Sequence, residues 1–196
     1  QSCNTSATST ITVEVSANPI IINEIAWMGT NSALPQDEWI ELYNKTESDI
    51  IFDDSWTLYS KTDNSPYIKL YGTIPAKGYF LIERKNTDET DELTQSPVVD
   101  IPADIWTSFG AGLNNSGEII SLTHASTTID EVPLCYNKWC GGGINSFGST
   151  YYYTMEKTSP DKPNDDWISW YQRIPQIKNG KAANGDAIYG TPKRRN

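Results

Sequence analysis

The chain has 196 residues, the length of one full domain or of one domain with an attached fragment. Lys plus Arg number 15 against 25 Asp plus Glu, a formal net charge of −10, so a polyphosphate such as nucleic acid would meet an opposing field. A single histidine excludes metal sites of the two-His type and leaves His124 alone to serve any catalytic triad.

Period-two alternation recurs along the chain, and helical periodicity is scarce. Residues 10–15 alternate cleanly and predict a strand, with Thr10, Ile11, Val13 and Val15 as its pairing positions. Residues 20–25 predict the next. In 38–43, Ile40 and Leu42 share one face while Trp39, Glu41 and Tyr43 share the other, expected to look outward. Further strands are predicted at 49–52, 56–60, 67–71, 79–83, 118–123, 127–132 and 150–157. Turn chemistry at 53–55, 63–66, 75–78 and 114–117 separates them. Many short strands about ten residues apart describe an all-β sandwich or barrel. Two irregular segments interrupt the rhythm. Residues 84–106 carry an acidic run at 88–92 with Pro97 and Pro102, and read as a solvated excursion. Residues 133–148 hold two cysteines and three consecutive glycines, a loop of the kind that often binds. Trp167, Trp170 and Tyr171 fall on helical spacing and predict one docked face of a short helix. The polar tail 178–196 ends on Lys193, Arg194 and Arg195 and reads as a solvated end.

No run approaches 18 apolar residues, so no spanning helix is expected, and no basic segment followed by an apolar run marks a signal peptide. Cys135 and Cys140 close a small ring. A second Cys/His pair for zinc is missing, so a disulfide is the better reading, contributing about 2 kcal/mol. A disulfide favours an extracellular or cell-surface setting. Cys3 is left over for a partner elsewhere. His124 has Asp130 and many serines in the sequence but no elbow motif, and reads as a strand-end residue. Glu24, Asp37, Glu38, Glu41 and Glu118 supply carboxylates in number. Trp39, Glu41 and Tyr43 form a candidate ligand or partner surface, against the alternative of ordinary cross-strand packing. Asp161, Asn164, Asp165 and Asp166 concentrate oxygen ligands without EF-hand spacing: either a calcium site or a helix cap at Asp165 or Asp166. Beyond that candidate calcium, no cofactor is expected.

Six short motifs in order complete the picture. Ile22-Asn-Glu-Ile25, Glu38-Trp-Ile-Glu-Leu-Tyr-Asn44, Trp56-Thr-Leu58 and Gly72-Thr-Ile-Pro-Ala-Lys-Gly-Tyr-Phe-Leu-Ile82 resemble the opening of a lamin tail domain. Leu113-Asn-Asn-Ser-Gly-Glu-Ile-Ile-Ser-Leu122 and Thr128-Ile-Asp-Glu-Val132 continue it. The ending, Thr154-Met-Glu-Lys157, Asp166-Trp167 and Gly190-Thr-Pro192, is similar to the C-terminal extension of bacterial members. The resemblance runs over 19–196 and implies an immunoglobulin-like β-sandwich with loop insertions and a short C-terminal helix and extension. It implies a non-catalytic module of a secreted or surface protein, binding protein or surface polymer. Residues 1–16, with a linker to 18, are similar to the last strands of a separate immunoglobulin-like repeat. They are either a remnant of a preceding domain or a strand donated to a neighbouring copy. The alternative function is an accessory carbohydrate- or calcium-binding domain of a larger secreted hydrolase or nuclease. Neither nucleic-acid binding nor membrane insertion is expected.

Overall fold

The alternation in the sequence becomes two facing sheets in the computed structural model, which describes residues 18–145, 151–171 and 178–196. Strands are numbered in chain order. One sheet has the order β13 (Met155–Glu156), β1 (Ile20–Ala26), β2 (Trp39–Asn44), β7 (Tyr79–Arg84), β8 (Ile105–Thr107). The other runs β10 (Thr127–Val132), β9 (Ile120–His124), β4 (Trp56–Ser60), β5 (Tyr67–Lys69). Two ribbons, β3 (Ile50–Phe52) with β6 (Gly72–Ile74) and β11 (Gly143–Asn145) with β12 (Tyr151–Tyr153), flank them. The predicted strand at Thr10, Ile11, Val13 and Val15, together with Cys3, lies outside the described residues.

Core composition follows from strand phase. Cross-strand register aligns Met155, Ile25, Ile40, Ile82 and Ile105 in one inward row across the larger sheet. Trp56, Leu58, Ile68, Ile120 and Leu122 meet them from the smaller sheet in one cluster. Strict alternation from Ile20 and Ile22 would carry Glu24 into this core. A bulge between Ile22 and Glu24 inserts Asn23, so Ile25 returns inward and Glu24 turns outward.

The predicted 150–157 strand divides at Thr154 into β12 and β13. The 84–106 excursion is only half solvated, which corrects the sequence reading. Its acidic run leads into a four-residue helix α1 (Glu92–Gln95), N-capped by Asp91, whose carboxylate accepts the Leu93 amide. Its second half buries Val98 and returns as β8, parallel to β7. Parallel pairing gives no hairpin signal, so nothing local announces it.

Candidate functional site

Trp39, Glu41 and Tyr43 on β2 are expected from the sequence to look outward at solvent, and the structure reverses this. Trp39 and Glu41 are both 0% exposed and Tyr43 is half-buried. A roof built from two distant segments covers them. Trp39 packs with Ala26 and Leu81 of the sheet, Val98 of the excursion, and Ala182 and Ile188 of the C-terminal segment. The roof halves are knitted together: the Val99 amide donates to the Lys181 carbonyl at 3.0 Å, and the Lys181 amide donates to Asp100 Oδ1 at 2.7 Å. The tail 178–196, read as a solvated end, is therefore a docked strap. Its sequence hides this because it carries few aliphatics and docks largely through polar bonds.

Beneath the strap lies a row of carboxylates. Register places Glu156, Glu24 and Glu41 side by side on β13, β1 and β2. Their exposures are 2%, 0% and 0%. The strap closes on them: the Thr191 amide donates to Glu24 Oε1 at 2.9 Å, its hydroxyl to Glu24 Oε2 at 3.0 Å, and the Lys193 amide donates to Glu41 Oε2. Thr154 Oγ1 donates to Glu24 Oε1 at 2.5 Å, and Asn23 Nδ2 to Glu41 Oε1 at 2.9 Å. Gly190 is required here, since a Cβ would stand 2.5 Å from Glu24 Oε1. Lys193 Nζ pins the end of the strap to Asp104 at 3.0 Å. Burial pushes all three carboxyls above the ordinary range, and the charge of Glu24 lifts both Glu41 and Glu156 further. On the neighbouring strand, burial pushes Glu83 up to about 9.

Shifted carboxyls in a cluster are what an acid–base site needs. These have no access to solvent, and a substrate would have to displace residues 190–193 to reach them. Their observed work is to hold the strap through charge-assisted and neutral hydrogen bonds. Glu38 and Glu118 brace the backbone. Glu38 pairs with Arg84 at 2.9 Å and accepts the Leu113 amide at 2.9 Å, while Glu118 accepts the Asn114 amide at 2.6 Å.

The other singled-out residues are dispersed. His124 stacks on Trp56 at 4.6 Å, its Nε2 3.9 Å from Asp53. Asp130 instead clasps the two sheets, accepting the Ile22 amide at 2.8 Å and Asn164 Nδ2 at 2.7 Å, so the two do not form a dyad. Asp166 N-caps a 3₁₀ turn at Trp167–Ser169, which is the cap reading of that acidic stretch. Asp161 pairs with Lys45 and Asn164 is engaged by Asp130, so the four oxygen residues do not close into a cage. Among the described residues no group of three or more His, Cys, Asp or Glu is placed to hold a metal ion. Trp170 docks at 1% exposed, but Trp167 and Tyr171 stay 46% and 37% exposed, because one 3₁₀ turn is too short to present a continuous face.

Cys135 and Cys140 are joined in a disulfide. Substituting both by serine is expected to lower the unfolding free energy by about 2 kcal/mol with the sandwich retained. Urea unfolding followed by tryptophan fluorescence checks this, and an unchanged midpoint would deny the ring a stabilising part.

Two antiparallel-rich sheets facing across one aliphatic core define an immunoglobulin-like structural domain. The family model described as Lamin Tail Domain matches residues 14–134, and the chain belongs to that family, whose domain is a non-catalytic immunoglobulin-like fold. The disulfide ring and the strap lie beyond the matched stretch. No curated protein matches the chain.

Proposed function

We propose that the chain is a non-catalytic recognition module of a secreted or cell-surface protein, binding protein or surface polymer. The observation that carries this reading is the sealed carboxylate row: Glu24, Glu41 and Glu156, side by side and shut off from solvent, are spent on holding the strap. The disulfide supports a setting outside the cytosol. No helix among the described residues is long and apolar enough to cross a membrane.

Within this reading, 19–196 works as the sandwich with its C-terminal extension, and 1–16 is either a remnant of a preceding domain or a donated strand. Light scattering on the whole chain and on a version lacking residues 1–16 separates these. Self-association that disappears on truncation supports strand addition between copies. A monomer in both cases removes it. Steady turnover of any substrate by pure protein, abolished in His124→Ala, would overturn the non-catalytic reading itself.

A further inference from the structure

The two outer faces of the sandwich differ in what lies on them. The strap and excursion roof the larger sheet, whereas the smaller sheet keeps Tyr67 54% exposed and Lys69, Ser126, Thr127 and Thr128 at solvent. Register sets Tyr67 beside Tyr59 and then Ser121 in one row, and Lys69 beside Thr57 and then Thr123 in the next. The two tyrosine rings stand 6.0 Å apart, tilted by 48°. They border a trough of about 460 Å³ whose other walls are hydroxyl side chains, Lys69 and the β9–β10 turn. Lys69 Nζ is held by Thr57 Oγ1 at 2.9 Å and the Asp54 carbonyl at 3.2 Å.

Three features restrict what fits. No carboxylate lines the trough in a chain of net charge −10, and no Leu, Ile, Val or Met supplies the apolar centre that a protein interface needs. The walls offer two tyrosine rings, hydroxyls and the Lys69 ammonium, which is itself held by Thr57 and the Asp54 carbonyl, and these match the C–H faces and hydroxyls of pyranose rings. The overall negative field disfavours a polyanion. One rim is also held in an unusual shape. Ala125 and Ser126, at φ of 46° and 68°, make a tight turn in the left-handed region that asparagine and glycine favour, and the Ala125 amide is anchored to the Ser55 carbonyl at 3.1 Å.

We propose that the outer face of β10-β9-β4-β5 binds an uncharged polysaccharide, lying across Tyr59 and Tyr67. This rests on the reading of the chain as a non-catalytic binding module and names its ligand class. Three strand spacings of about 4.8 Å give roughly 14 Å, room for two or three sugar rings.

Native gels of the whole chain cast with hydroxyethylcellulose, xylan, laminarin or soluble starch test it, with alginate as the polyanion. Retardation is expected in at least one neutral gel, weakened at least tenfold in Tyr67→Ala and in Tyr59→Ala and unchanged in Tyr171→Ala, which lies elsewhere. Tyr67 is exposed, so its variant decides the matter even where Tyr59→Ala fails to fold. Free mobility in every neutral gel, retention by alginate alone, or retention undiminished in Tyr67→Ala overturns the proposal. Recovery of shortened polymer would instead overturn the non-catalytic reading, so the two failures are distinguishable.

Discussion

Trp39→Ala is expected to lower the unfolding free energy by about 3–5 kcal/mol, the range for removing a large aromatic from a packed interior. Trp39 has no exposed surface and is the largest side chain of the second apolar cluster. Truncation leaves a void bounded by Leu81 and Ala26 below and by Val98, Ala182 and Ile188 above. The roof is therefore expected to loosen before the sandwich does. Limited proteolysis should cut first near the exposed Asn184, Gly185 and Asp186. Urea unfolding measures the first effect and a protease time course the second. A change within about 0.5 kcal/mol, ordinary for a surface position, would mean that the strap does not cover this face in solution.

The second large effect concerns pH. Each buried carboxyl keeps its proton to a higher pH in the folded chain than in the unfolded one. Between the unfolded value of 4.5 and the folded value the native state holds the extra proton, so stability falls as pH rises, by about 1.4 kcal/mol per unit for each such group. For Glu83 this window runs from 4.5 to about 9. Glu24, Glu41 and Glu156 act in the same direction, because ionising neighbours in one row sets like charges side by side. The unfolding free energy at pH 9 is expected to lie below that at pH 5 by about 5 kcal/mol from the Glu83 window alone, with the Glu24, Glu41 and Glu156 row adding to the fall. Glu83→Gln should flatten the profile and unfold later than the parent at pH 9. Stability that climbs steadily to pH 9 would show these carboxyls ionised in the native chain and would remove this account of the pH dependence.

The strap also explains what stayed hidden from sequence reading at this site. Outward placement of Glu24 and Glu41 follows from strand phase once the Asn23 bulge is allowed for. Their burial does not follow, because it depends on Thr191 and Lys193, over 150 residues away. No periodicity connects such positions. The disulfide and the Asp166 cap were legible for the opposite reason: both are local, closed within a few residues.

Alternation of side chains about turn residues is a short-range property, and by itself it pointed to an all-β sandwich or barrel of short strands with Ile40 and Leu42 on one face, while six motifs in order carried the resemblance to the lamin tail family. Which outer face stays open was decided only in three dimensions. A strand exposes the same alternation whether its far side meets water or another segment, and the segments that cover β1 and β2 bind through backbone amides and scattered aliphatics. Those leave no periodic mark in the chain that carries them.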